Sequence, residues 1–440
     1  MFKHNIGSLG EVTTKYIDPN VCFGSTLTTF DALLKEDYID SNRVEELLYP
    51  DNVLLGKLEK RGDTGMVGDQ MPVPIIYGLP QGLSGGFTKA QANNSNIKAE
   101  KFVITTGDYF GVVNIGDKVM MASRTNRGAF LENKVTEIDG LYEQAGENYS
   151  KYVYGNGGQS LGVIAAINSN VVTLVNSADS MNFEVGMTVV ASAADGSTAT
   201  DQLRDSGDST TVTNINRATG DITFASVAAI SGLAVGDNLF RSGDFFGDQG
   251  AIVIKGVSAF MPATDTLGDL WGLTAAVRSR DIQRFGGCRV DPTLLGAKSF
   301  EQRIKLLFAQ MTGRFKAKAP TAVFMHPEDF DTLDTAMGAR GQRDLSDADA
   351  KFGYSSISVT TTAGKVPIFP DRHCPLGDAI ALRLENWWIF SMGELFRVQN
   401  GDGLQMLRKS DSTDYEFRII SYAGLACNAP KNNGRVSLTV

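Results

Sequence analysis

Between Thr125 and Tyr154 the apolar residues Leu131, Val135, Ile138, Tyr142, Ala145, Tyr149 and Tyr152 follow one another at steps of 4, 3, 4, 3, 4 and 3. That spacing brings all seven to one face of a helix. At its usual rise the helix is about 45 Å long, a rod that limits the folds open to the chain. Gly140 and Gly146 weaken it slightly. The repeat covers only about three heptads and stops at Gly155-Asn156-Gly157-Gly158, which argues against an extended coiled coil.

After this stop the composition changes. Val, Thr, Ala, Ser, Gly and Asp dominate to about residue 262, and no helical period persists. The stretch beginning at Val163 has an echo beginning at Val212. Each reads strand, turn, strand, then a corner, at Phe183–Met187 and at Leu233–Asp237. A duplicated small β unit accounts for this and predicts an all-β domain over 158–262, a sandwich or small barrel. The acidic loop between the halves does not have the spacing of an EF-hand calcium loop.

The segments before the helix are less self-sufficient. Residues 1–60 hold one helix-like piece, Thr29–Leu48, between turn formers, and predict an arm that packs on something else. Residues 61–115 alternate strand-like runs, MPVPIIYGL and FVITTGDYFGVVNI, with a polar Gly/Asn-rich link. This pattern predicts a long two-stranded hairpin with a mobile tip. Such a hairpin is not stable alone in water and needs a surface to lie on.

The 440 residues suffice for about two to four domains. The balance of 41 basic against 50 acidic residues, a net charge of −9, argues against a protein whose main task is gripping nucleic acid. Cys22, Cys288, Cys374 and Cys427 lie far apart and form no CxxC pair, so neither a zinc ribbon nor a disulfide framework is expected. No run approaches the roughly 18 apolar residues of a membrane span. The first residues lack the apolar core of a secretory signal. Both observations predict a soluble protein made in the cytoplasm.

One stretch raises the question of catalysis. In PTAVFMHPEDFDTL, Pro320–Leu333, the residues His326, Glu328 and Asp329 lie close together. A strand TAVFMH followed by a helix explains all three. Proline needs no N–H at a first helical position, and acids there complement the helix dipole. The rival reading is an acid/base pair or a metal site. The chain has only His4, His326 and His373, and no HExxH, GxSxG, Walker A loop or GxGxxG after a strand. The expectation is that the protein is not an enzyme and carries no cofactor or metal.

The order of parts resembles the major capsid proteins of tailed bacteriophages, the Hong Kong 97-type fold. The likeness is carried by the arm and long hairpin, similar to that family's N-arm and E-loop. It continues in the helix ending YVYGNGG, similar to its spine helix, and in PTAVFMHPEDFDTL. The stretches Gly364–Glu394 and Glu416–Leu438 complete it. The resemblance implies an α+β chain with a 1–60 arm, a 61–115 E-loop and P-domain strand, and a 116–157 spine helix. It further implies the 158–262 all-β insertion, a 263–320 P-domain helix region, a 321–415 A-domain and a 416–440 closing strand and tail. The extra β domain departs from the family pattern, and so does the lack of a charged helical region at the front. By the resemblance, the latter means either a processed chain or a separate scaffolding protein, and Met1 as first residue favours the separate protein.

The function implied by this resemblance is assembly. Copies would form pentamers and hexamers and close into an icosahedral shell around double-stranded DNA, held without sequence-specific contacts. Portal, scaffolding and decoration proteins would be partners, the virion the location, and no membrane is involved. Candidate intersubunit contacts are Met71, Pro74, Phe87, Lys89 and Lys98 in the hairpin and Phe30 and Leu33 in the arm. Some relatives join subunits through a Lys–Asn isopeptide bond, for which Lys89 with Asn432 or Asn433 would be the pair here. A solvated loop lysine is the simpler reading of Lys89. Rival functions are an encapsulin-like compartment shell, a phage tail or adhesin protein, and a hydrolase using His326.

Overall fold

The computed structural model describes residues 52–62, 65–116, 127–250, 253–338, 357–399, 406–409 and 412–438. The expected arm helix, with Phe30 and Leu33, lies outside them.

The described chain opens with helix α1 (Val53–Lys57) and strand β1 (Glu59–Arg61). Strand β2 (Gln70–Gly78), helix α2 (Phe87–Ala92) and β3 (Lys98–Thr105) form the hairpin, and β4 (Gly107–Ile115) follows directly. The long helix is α3 (Arg127–Tyr154). Six short strands come next: β5 (Gly162–Asn168), β6 (Val171–Leu174), β7 (Thr188–Ser192), β8 (Thr210–Asn216), β9 (Asp221–Phe224) and β10 (Asn238–Arg241). Helices α4 (Val257–Phe260), α5 (Ala275–Arg278) and α6 (Ile282–Gly286) lead to β11 (Cys288–Arg289), α7 (Phe300–Gly313), β12 (Ala322–Met325) and α8 (Pro327–Gly338). The rest is β: β13 (Ile357–Thr361), β14 (Gly364–Pro370), β15 (Asp378–Leu382), β16 (Trp387–Ser391), β17 (Arg397–Val398), β18 (Met406–Arg408), β19 (Tyr415–Cys427) and β20 (Gly434–Ser437).

The chain is α+β, with three β assemblies beside the hairpin. The first is built on β19. On one flank β19 pairs with β4 along its length, from Tyr415↔Ile115 to Ala423↔Gly107. On the other it pairs with β16, β17 and β18, and β1 adds to β16 in parallel. Helix α3 covers one face of this sheet. The stripe residues Ile138, Tyr142, Ala145, Tyr149 and Tyr152 are buried. Tyr142 meets Phe417, and Tyr149 meets Tyr109 and Phe396 edge-on. A Cβ on Gly111 would lie 2.7 Å from the Ile419 side chain and 3.1 Å from Leu141, so β4 has no room for a larger residue there.

The second assembly has the order β11-β20-β15-β12-β14-β13. Helix α7 places Ile304, Leu307, Phe308 and Met311 in a core shared with Val323, Met325, Ile368 and Val436. Packing and pairing cross the expected boundaries at two places. Helix α7, assigned from sequence to the 263–320 unit, belongs by its apolar face to this second sheet. Strands β16, β17 and β18, assigned to the 321–415 unit, instead complete the first sheet by pairing with β19. The closing segment is shared, β19 in one sheet and β20 in the other, because the turn at Ala429–Asn433 sends the chain across.

The third assembly is a closed barrel, order β10-β5-β6-β9-β8-β7. The two sequence halves are two structural halves. β5 and β8 share one burial pattern, as do β6 and β9. Each half has a register irregularity at the same place, Ile164/Ala166 and Val212/Asn214. The corners sit on the opposite half. Gly186 N donates to Val212 O and Gly236 N to Ile164 O, both at 2.8 Å. Both glycines have positive φ, 92° and 91°, the left-handed region glycine enters without steric cost.

The barrel is fastened to α3. Tyr152 Oη donates to Asp244 Oδ2 at 2.6 Å. The Asn148 side chain joins Tyr109 of β4 to Arg241 of β10, at 3.2 Å each. Gly158 fits where a Cβ would lie 1.9 Å from the Asp195 carbonyl.

Candidate functional site

The hairpin has a buried root and an exposed end. Along β2 the odd-numbered Met71, Val73 and Ile75 face inward, and Phe102 and Ile104 of β3 join them. The Phe102 ring stands edge-on to Phe260 and Phe285, with centroids at 5.6 and 6.5 Å. Val103 N donates to Trp271 O at 3.0 Å. The last anchor is Arg280, which bonds Tyr77 Oη at 3.1 Å and Glu100 Oε1 at 3.3 Å.

Beyond that anchor no residue of the hairpin is buried. Helix α2 has no buried residue. Leu83 is 82% exposed and Phe87 78%, and Ile76, Leu79 and Ile97 are more than half exposed. Covering one such side chain is worth about 1.5–3 kcal/mol. Scattered exposed leucines are ordinary, but five large apolar side chains on one projection mark a contact surface.

The expected contact residues divide between root and end. Pro74, Phe87, Lys89 and Lys98 are exposed. Met71 is 6% exposed and packs in the chain's own core. The inward period of β2 accounts for this. Asn433 is fully buried: its Oδ1 accepts from Arg383 N at 2.7 Å and Trp387 Nε1 at 2.9 Å. Its Nδ2 donates to Ala429 O and Pro430 O. Asn432 is also buried, and accepts from Lys318 N at 2.9 Å. Neither amide faces solvent where an exposed Lys89 of another copy would meet it.

The His326 cluster is structural in its contacts. His326 Nδ1 accepts from Glu328 N at 3.3 Å and Asp329 Oδ2 from Gly377 N at 2.7 Å, so the first capping group is the histidine itself. Burial holds the His326 pKa below its ordinary value and that of Asp329 above its own. Cys288, Cys374 and Cys427 are buried free thiols, and burial pushes Cys288 up to about 12. Among the described residues no group of three His, Cys, Asp or Glu is placed to hold a metal ion, and no helix is long and apolar enough to cross a membrane.

Sequence reading passed over one surface. In GDYFGVVNI the alternation puts Asp108, Phe110, Val112 and Asn114 on one face of β4, opposite the face against α3. Phe110 and Val112 are exposed there.

No protein-family model matches the chain, and no curated protein matches it in sequence. Solved structures do. The chain is similar to the capsid asymmetric unit of cyanophage A-1(L), at 12% identity over 91% of this chain and 95% of that one, TM-score 0.46. It is similar to the capsid of the native GTA particle, at 9% identity over 89% and 91%, TM-score 0.40. It is also similar to the encapsulin of the holo complex from Synechococcus elongatus PCC 7942, at 10% identity over 89% and 88%, TM-score 0.41.

Proposed function

We propose that this chain is a shell subunit, the major capsid protein of a tailed bacteriophage. The observation that carries the reading is the hairpin, with a root built into the protomer's core and an end whose large apolar side chains have no core of their own. Such an end is stable in water only when another molecule covers it. Copies of the same chain are the simplest cover, and closed symmetry lets every hairpin be covered at once. Many modest contacts then sum to a stable shell. The copies assemble as pentamers and hexamers into an icosahedral shell, in the host cytoplasm, and remain in the virion.

The net charge of −9 suits a container for DNA, because strong phosphate contacts would oppose filling and release. A separate scaffolding protein, a portal and a decoration protein are the expected partners. The barrel is an insertion in this scheme.

The test is negative-stain electron microscopy with light scattering on the purified full chain, alone and with the neighbouring scaffold protein. Closed shells or rings of five and six subunits support the reading. A stable monomer under all these conditions overturns it. The contents of native particles separate a DNA-filled capsid from an encapsulin-like compartment.

A further inference from the structure

Two stretches of this acidic chain contain no acid. One runs from Gln302 to Pro327 and holds Arg303, Lys305, Arg314, Lys316 and Lys318; the other runs from Phe417 to Val440 and holds Arg418, Lys431 and Arg435. The fold brings them together past the end of α7. Lys318 N donates to Asn432 Oδ1 at 2.9 Å, which sets Lys318 beside the turn that carries Lys431. The segment before it folds back on the helix: Phe315 N donates to Gln310 O at 3.0 Å and Ala317 N to Met311 O at 2.9 Å. Lys316 has the left-handed φ, 51°, usual at such a helix end. Phe315 and Ala317 pack on the core of the second sheet, and Arg314, Lys316 and Lys318 are exposed.

These charges are open. Several exposed cations elsewhere are met by acids, as Arg61 is by Glu59, Arg217 by Glu184 and Arg280 by Glu100. Among the described residues no ion pair or side-chain hydrogen bond engages the side chains of Arg314, Lys316, Lys318 or Lys431. The acid that acts on Arg314 is Asp291, itself bonded to Thr293 N and Oγ1. Arg383 borders the patch, its Nη1 donating to Ala319 O at 3.2 Å, and is paired with Glu385 at 2.7 Å. A helix C-terminus favours a cation in its last turn. That accounts for Arg314 but not for Lys318 or Lys431.

No large apolar side chain is exposed on α7, on the segment that follows it or on the turn at Ala429–Asn433. A protein partner with apolar anchors has nothing to bury here, and lysine is depleted at such interfaces. Cations on a polar surface are the usual seat of a phosphate backbone. We infer that the patch formed by Arg314, Lys316, Lys318 and Lys431 binds the phosphate backbone of double-stranded DNA without reading its sequence. The inference rests on the shell reading, which supplies the DNA, and places the contact on one surface of a chain whose net charge is −9. Such contacts release counterions and weaken steeply with salt. Those of one copy are weak and sum over the copies of a shell, which suits a container that fills and empties.

The experiment is fluorescence anisotropy of a labelled duplex of about 20 base pairs with the full chain, held below its assembly concentration, between about 20 and 200 mM salt. Unrelated sequences should bind equally, and log K should fall with log salt at a slope of about −3 to −4. The triple variant Arg314→Gln, Lys316→Gln, Lys318→Gln should bind about tenfold more weakly or worse, with a slope near about −1 and the wild-type melting temperature. The hairpin variant Lys89→Gln, Lys98→Gln, Lys101→Gln should bind as the wild type does. A wild-type chain that fails to bind the duplex at the lowest salt overturns the inference. So does a triple variant with wild-type affinity and slope, or an equal loss in the hairpin variant. Tighter binding of poly-L-glutamate than of the duplex assigns the patch to an acidic protein and overturns it too. Each of these results leaves the shell reading standing if the same chain forms closed shells at higher concentration. Duplex binding at the patch by a chain that never assembles removes the shell reading alone.

Discussion

Val172 and Ile222 lie directly opposite each other across β6 and β9, and they occupy the same place in the two halves of the barrel. Val190 and Phe240 do so across β7 and β10. An approximate twofold axis therefore passes through both pairs. Because each corner bonds to the strand of the opposite half, neither half closes a hydrogen-bonded surface alone. The duplication is thus a requirement of the barrel's closure, which leaves it no free edge.

The two corner glycines should respond alike to substitution. Nothing lies within 4 Å of a Cβ built on Gly186 or Gly236, so alanine meets no clash. The remaining cost is the left-handed backbone, about 1–2 kcal/mol for a non-glycine residue. Gly186→Ala and Gly236→Ala should lower the barrel's stability by similar amounts, read by thermal unfolding. A tolerated change at one site with a damaging change at the other would break the equivalence.

Asn433 joins the two large sheets by serving Arg383 N and Trp387 Nε1 at once. Asn433→Leu keeps most of the volume and leaves both donors buried without an acceptor. Each orphaned group costs about 1–3 kcal/mol. Urea unfolding should show a loss of that order or larger, and stability near wild type would refute the role assigned to this side chain.

His326 gives stability a dependence on pH. Its pKa is held below the ordinary 6.5 by burial, although Glu328, Asp329 and Asp179 pull the other way. The folded state therefore binds its proton less readily than the unfolded chain does. Its contribution is fully present above about pH 6.5 and is lost as pH falls through the lower folded value. Asp329, raised by burial, acts in the opposite sense nearer its own range. His326→Gln should flatten the stability profile between pH 7 and 5, followed by melting temperature; an unchanged slope would count against it. The same variant should assemble normally.

Leu83 and Phe87 touch nothing that the protomer needs. Leu83→Ser with Phe87→Ser should change protomer stability by no more than about 0.5 kcal/mol and should abolish shells in sedimentation. A protomer that loses its cooperative melt instead would mean that the hairpin end packs on its own chain.

Local pattern alone identified helix α3, the repeat that became the barrel, the hairpin, and the strand-to-helix turn at His326-Pro327. These follow from periods of 3.6 and 2 and from cap chemistry, which neighbouring residues decide among themselves. Sequence could not say which face of β2 turns inward, with Met71, Val73 and Ile75. Nor could it assign β16–β18 to β19, or α7 to the sheet of β20. Those choices depend on pairing across the length of the chain, where many strands have equally suitable alternation and only burial of all faces together selects one set. The β4 face depends on the same selection, and so does the cationic patch. Lys318 and Lys431 are far apart in sequence, and only the docking of the turn at Ala429–Asn433 on the segment after α7 brings them to one surface.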